Sequence, residues 1–251
     1  MHPMRDQSLQ AKTVLVTGSA QRIGAVLARA LHAAGANLVL HYRNSGAAAS
    51  ELAASLNAAR PASAVTVQAD LLETARLDRL VETARQAFGG LDILLNNASS
   101  FYATPLGELT ERAWEDIVGS NLKAPLFLAR AAAAQLTAAR GLVLNIVDIH
   151  GLRPLQHYCV YSVAKAGLIM LTKSLARELA PHVRVNAVAP GPVMWPEGVT
   201  AELKERIIAR TPLERAGTPE DVARAVLFFA TDAPYVTGQI LAVDGGRSVG
   251  W

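Results

Sequence analysis

Tyr161 and Lys165 stand four residues apart in Tyr161-Ser162-Val163-Ala164-Lys165, a spacing that puts both on one face of a helix. A free tyrosine, with a pKa of about 10, exchanges protons poorly at neutral pH. An ammonium beside it favours the phenolate and lowers that value. The pair therefore reads as a proton-transfer device whose lysine can also hold a ribose hydroxyl. A second stretch able to do chemistry is Thr17-Gly18-Ser19-Ala20-Gln21-Arg22-Ile23-Gly24. It follows the apolar run Thr13–Val16 and precedes a helical pattern. Gly18 permits a tight turn and Gly24 permits close helix–strand packing. The helix N-terminus then offers unpaired N–H groups to a pyrophosphate.

These groups need a frame. Strand patterns occur at Thr13–Val16, Asn37–Tyr42, Ala64–Ala69, Asp92–Leu95, Gly141–Asp148, Val183–Ala189 and Gln239–Val243. Helical patterns separate them at Ile23–Ala34, Ser45–Ala59, Glu73–Phe88, Leu109–Leu136, Val160–Leu179 and Pro219–Thr231, the fourth interrupted near Pro125. The alternation predicts a single α/β domain of the Rossmann type spanning residues 1–251. It is a doubly wound parallel sheet of about seven strands with helices on both faces. Residues 190–218 form the longest irregular insertion. Ligands bind at the carboxyl ends of such strands, so this insertion reads as a substrate lid. Residues 1–12 are polar and read as a loose tail.

The 251 residues are 51% hydrophobic and 18% charged, which excludes a disordered chain. The net charge is +3, with no run of five or six like charges, which argues against nucleic acid or anionic lipid as the main partner. No apolar stretch of about 18 residues lacks a charge, so no membrane span is expected. Cys159 is the one cysteine, so an intrachain disulfide is impossible and a cytoplasmic setting is expected. Cys159 is expected to pack, and His150 and His157 read as loop surface. The six histidines show no ligand spacing, so no metal site is expected.

The turn Gly-x3-Arg-x-Gly, the Tyr-x3-Lys pair, Asn96-Asn97-Ala98 and Pro190-Gly191 together resemble the short-chain dehydrogenase/reductase family, nearly to the end of the chain at Asp244-Gly245-Gly246. The resemblance implies a nicotinamide dinucleotide held by Gly18, Arg22, Ile23 and Gly24. Asp70 and Leu71 would contact its adenine, while Asn97, Ala98 and Ser99 line its path. Pro190 and Gly191 would orient its carboxamide, and Tyr161 and Lys165 its ribose. Asn121 matches the family's structural and proton-relay asparagine. Arg22 replaces the usual middle glycine and adds a fork of donors beside the phosphates. NAD-specific sites place a carboxylate after the second strand, but here the first acid is Glu51, well into the next helix. The strand ends instead in His41-Tyr42-Arg43-Asn44-Ser45. Arg43 and Ser45 suit a 2′-phosphate, with His41 helping, so NADPH/NADP+ is expected.

The family has a serine thirteen residues before the tyrosine, and this chain has Asp148 there. A serine donates to a ketone oxygen, whereas an ionised aspartate accepts. That change favours a substrate with N–H groups or a ring nitrogen awaiting a proton, as in reduction of a C=N bond. Asp148, Tyr161 and Lys165 with Arg22, His41-Tyr42-x2-Ser45 and Asn97-Ala98-Ser99-Ser100-Phe101-Tyr102 resemble the pteridine reductases of the family. The resemblance implies a pterin bound by Arg22, Ser99, Phe101, Asp148 and Tyr161, with Phe101 stacked on one face. The reaction would take dihydropterin to tetrahydropterin, with oxidised pterin and dihydrofolate as further candidates. Trp195, in the lid segment Pro192–Glu197, either closes the pocket or packs. The resemblance also implies a homotetramer built through the two long helices. A carbonyl reductase acting on a 3-oxoacyl or other ketone is the competing reading, and Asp148 argues against it. A catalytically idle cofactor-binding regulator is the third. Retention of Tyr161 and Lys165 argues against that one.

Overall fold

Seven short runs rich in Val, Leu and Ile form parallel strands: β1 (Thr13–Val16), β2 (Asn37–Tyr42), β3 (Ala64–Gln68), β4 (Ile93–Asn96), β5 (Leu142–Ile146), β6 (Arg184–Pro190) and β7 (Ile240–Val243). The computed structural model describes residues 9–196 and 198–250. The first eight residues of the expected tail, Glu197 of the expected lid and Trp251 lie outside that range.

The strands make one sheet in the order β3-β2-β1-β4-β5-β6-β7, parallel throughout. Successive residues of a strand face opposite sides, so Val14 and Val16 enter one apolar layer and Leu15 the other. The first layer is closed by α1 (Arg22–Ala33), α2 (Gly46–Ala59) and α8 (Pro219–Thr231). The second is closed by α3 (Asp78–Phe88), α5 (Ala124–Ala139) and α6 (Cys159–Glu178). The sheet is therefore doubly wound, as the alternation predicts. The strand order reverses between β1 and β4, and connections leaving in opposite directions open a crevice at their carboxyl ends.

Four local features differ from the sequence reading. The interruption expected near Pro125 is present but is not made by the proline, which sits in the first turn of α5, where a missing N–H is tolerated. The irregularity lies just before it, where α4 (Glu111–Val118) meets α5 through a π-helical turn at Gly119–Lys123. The expected lid contains a helix, α7 (Ala201–Ala209), capped by the Thr200 hydroxyl accepting from the Leu203 N–H. The expected loose tail is docked from Leu9 onward: Leu9 is buried and its N–H donates to Ala34 O. Cys159 is exposed at the start of α6 rather than packed. By length and a mean hydropathy of 1.2, α6 meets the criterion for a membrane-crossing helix, but half of it is buried inside the fold.

A polar chain crosses the apolar second layer. The Asn96 amide of β4 donates to Asn145 Oδ1 of β5 at 2.9 Å, in the register that pairs the two residues. The Asn145 amide donates to Thr172 Oγ1 of α6 at 2.9 Å. Thr172 in turn donates to Leu168 O at 2.8 Å. All three side chains are buried, so each would be costly to leave unpaired. Asn145→Leu keeps the branched shape but orphans the Asn96 amide and takes from Thr172 the donor its hydroxyl accepts, leaving Thr172 only its bond to Leu168 O. The expected loss is about 2–4 kcal/mol, a fall in Tm of about 5–15 °C. A Tm within a degree of the parent by circular dichroism would remove this chain as an anchor of α6.

Candidate active site

Gly18 adopts a left-handed backbone (φ +60°), and a Cβ there would lie 2.9 Å from Ala98 Cα. A Cβ on Gly24 would lie 2.2 Å from Gly18 O. Both glycines of the turn are therefore required by close approach. Arg22 is also left-handed (φ +54°), at the position where the family pattern has glycine. A Cβ in this region costs about 1–2 kcal/mol, so the turn carries strain at the residue facing the cleft.

The turn is latched from three strands. The Asn97 amide donates to Thr17 O and Gly18 O, each at 3.0 Å. Thr17 Oγ1 accepts from the Asn97 and Ala98 N–H groups. The Gly18 N–H donates to His41 Nδ1 at 3.2 Å, so the ring proton sits on Nε2 and is donated to Ala69 O at 3.1 Å. Burial pushes the His41 pKa down to about 4. His41 is thus a neutral strut for the turn, which corrects the expectation that it assists at a 2′-phosphate. The cation that follows β2 on the cavity wall is Arg43, whose Nη1 lies 3.7 Å from Asp116 Oδ1. Tyr102 donates to the other oxygen of Asp116 at 3.0 Å.

At the reaction end, β5 runs out at Ile146, and Asp148 follows as the N-cap of a short 3-10 turn. Asp148 Oδ1 accepts from the His150 N–H at 2.7 Å. Its Oδ2 accepts from the Tyr161 hydroxyl at 2.8 Å. Tyr161 and Lys165 share one face of α6, both buried. Lys165 Nζ donates to Ile146 O at 2.9 Å and lies 5.6 Å from the Tyr161 ring. Burial and the Asp148 carboxylate raise the Tyr161 pKa well above 10. This reverses the sequence expectation of a lowered value. Burial brings Lys165 down to about 8, against the pull of Asp148. The phenol therefore keeps its proton, and the lysine is the group that titrates near neutrality.

One cavity of about 860 Å³ is lined by every residue named from the sequence as a cofactor or substrate contact, from Gly18 and Arg22 through Tyr42, Asn44, Ser45, Asp70 and Leu71 to Pro190, Gly191 and Trp195. Asn121 is not among its lining residues. Its amide donates to Ile117 O and Ser100 O, and its carbonyl accepts from Ser99 Oγ at 2.7 Å. It holds the loop after β4 in place and acts on the cavity through Ser99. Phe101 stacks on Tyr158 with ring centres 4.7 Å apart and meets the Tyr161 ring edge-on at the same distance. Tyr158 was not foreseen, although its place three residues before Tyr161 is a helical-face signal. His150 lines the cavity, contrary to its reading as loop surface, as do Leu203 and Ile207 of α7 and Arg247 near the C-terminus. None of the last three carried a sequence signal. Trp195 does line the cavity, with Lys204 Nζ 6.0 Å from its ring.

A deep dinucleotide-sized crevice at the switch point, a glycine turn and a Tyr-Lys-Asp cluster define an oxidoreductase site. The family described as Enoyl-(Acyl carrier protein) reductase matches residues 18–248, and the chain belongs to the short-chain dehydrogenase/reductase family. It is 39% identical to pteridine reductase 1 of Leishmania tarentolae, over 95% of this chain and 97% of the relative. It is 38% identical to 3beta-hydroxysteroid dehydrogenase 1 of Eggerthella lenta, over 96% and 95%. It is equally similar, at 38%, to the 3-oxoacyl-[acyl-carrier-protein] reductase of a Synechocystis species, over 95% and 98%.

His41 generates a pH prediction. Its folded pKa of about 4 lies below the unfolded value of 6.5, so between these values the unfolded chain binds the extra proton. Stability is then complete above pH 6.5 and is lost as pH falls towards 4, by up to about 3 kcal/mol from this group. Urea unfolding at pH 7 and pH 4.5 should show a larger acid loss in the parent than in His41→Gln. Equal losses would sink the assignment of His41 as a buried neutral strut.

Proposed function

We propose that this oxidoreductase reduces pterins with NADPH, taking a dihydropterin to its tetrahydro form. The observation that carries the reading is the 2.8 Å hydrogen bond from Tyr161 to Asp148 in the cavity wall beside Phe101. The turn fits the pyrophosphate of a dinucleotide, because Gly18 and Gly24 admit no side chain and α1 begins at its edge. Arg43, Asn44 and Ser45 are the groups for a 2′-phosphate, with no carboxylate at the end of β2 to oppose it. When bound, the reduced nicotinamide supplies a hydride.

The chain's own residues supply the rest. Asp148 is fixed from two sides by the His150 N–H and Tyr161, which leaves its remaining lone pairs for N–H groups on the edge of a heterocycle. Tyr161 holds its proton until a neighbouring ring nitrogen gains basicity, then donates it. Lys165, titrating at about 8, is the proton reserve on the inner side of the phenol. Phe101, backed by Tyr158, offers an aromatic wall to a flat ring. The steroid and 3-oxoacyl relatives support a ketone reading. A ketone oxygen needs donors, however, and the Asp148 carboxylate is an acceptor already taking the Tyr161 proton bond. The homotetramer belongs to the same proposal, supported by the exposed apolar residues Trp114 of α4 and Val163 and Met170 of α6.

The deciding assay follows loss of the reduced cofactor's absorbance with dihydrobiopterin, dihydromonapterin, dihydrofolate and a 3-oxoacyl thioester side by side. Turnover of a pterin without the thioester supports the proposal, and the converse refutes it. Tyr161→Phe and Asp148→Ala should each lower pterin turnover by about a hundredfold or more. A near-parental rate in either variant would strip that residue of its role. Arg43→Ala should raise KM for NADPH at least tenfold while changing KM for NADH much less. Parallel changes would place the 2′-phosphate elsewhere.

A further inference from the structure

The last strand delivers a cation to the far end of the substrate cavity. After β7 the chain turns through Asp244-Gly245-Gly246, with both glycines left-handed (φ +66° and +84°). The Asp244 carboxylate caps this turn, accepting from the Gly246 N–H at 2.9 Å and the Ser248 N–H at 2.7 Å. The turn brings Arg247 to the lining of the same cavity as Asp148, Trp195 and Ile207. One guanidinium nitrogen, Nη1, donates to Ile207 O of α7 at 3.0 Å. Among the described residues no carboxylate lies within ion-pair distance of Arg247. Partial burial and the nearby Arg210 both work against its charge, and the Asp244 carboxylate, beyond ion-pair distance, offsets them only in part.

The cavity's other charges sharpen the point. Its described carboxylates are Asp70, beyond the adenosine end, and Asp148, already engaged by Tyr161 and the His150 N–H. A half-buried guanidinium has five donors, and one is used here. Removing such a group from water with no carboxylate in direct contact is unfavourable, and a carboxylate or phosphate is the planar or tripodal acceptor that suits it.

The geometry points to Arg247 as a specificity residue that binds an anionic group, a carboxylate or phosphate, on the part of the substrate remote from the reacting ring. This rests on the pterin reading and narrows it to pterins that carry an acidic tail. The structural alternative is that Arg247 only caps the C-terminal end of α7 through Ile207 O.

The test compares three dihydropterins that share one ring: dihydrofolate with its glutamyl carboxylates, dihydroneopterin phosphate, and dihydrobiopterin with a neutral tail. The readout is the ratio of kcat/KM for each acidic-tailed substrate to that for the neutral one. In Arg247→Met the ratio should fall at least tenfold, carried by KM rather than kcat. Arg247→Lys should recover part of it, and added salt should erode it in the parent. A ratio unchanged in Arg247→Met, with pterins still reduced, overturns this inference alone. KM values rising together for all three tails, with a lowered Tm, would leave Arg247 as a cap of α7 and also overturn it. Reduction of a 3-oxoacyl thioester with no pterin turned over would instead bring down the pterin reading, and this inference with it.

Discussion

The docking of α6 on β5 is the constraint from which the reaction end follows. Apolar packing alone tolerates small rotations of a helix, because Leu, Ala and Val contacts are exchangeable. Two polar contacts remove that freedom: Lys165 to Ile146 O and Asn145 to Thr172. Lys165 and Thr172 are seven residues apart, two turns along one stripe that also carries Tyr161 and Leu168. Satisfying both fixes the azimuth of the helix and its position along the strand. Tyr161 then meets Asp148, which leaves the end of the same strand. A buried polar pair is expensive when unmade, so these contacts specify one arrangement rather than merely adding stability.

The cofactor end is held by a comparable device. The carboxyl ends of β1, β2 and β4 meet where the strand order reverses, and Thr17, His41 and Asn97 bind them together around Gly18. Residues that read as ligand contacts are, in part, contacts with one another. This is how a strained turn, with Arg22 in a left-handed conformation, is kept ready without a ligand.

Charge is distributed along the cleft in an ordered way. Arg43 faces Asp116 beside Tyr102, Asp148 faces Tyr161, and Arg247 donates to Ile207 O of α7. The carboxylate of Asp148 accepts from both the His150 N–H and Tyr161. It is also the residue that pushes Tyr161 up in pKa together with burial. Proton retention on Tyr161 therefore depends on this side chain as well as on burial.

Strand and helix alternation, the glycine turn and the Tyr161–Lys165 spacing were legible in the sequence, because they express local periodicity and backbone sterics. So was the acceptor character of Asp148, which is intrinsic to its type. The π turn at Gly119–Lys123 and helix α7 were not, since short segments with weak periodicity take their form from what they pack against. Protonation and pairing were likewise decided only by the tertiary structure. His41 became a neutral strut, Tyr161 a reluctant acid, and Arg43 the partner of Asp116. Arg247, ninety-nine residues beyond Asp148, entered the same cavity. The reason is physical: residue type and spacing are properties of a few neighbouring positions, whereas desolvation and Coulomb interaction depend on which distant groups the fold brings within a few ångströms.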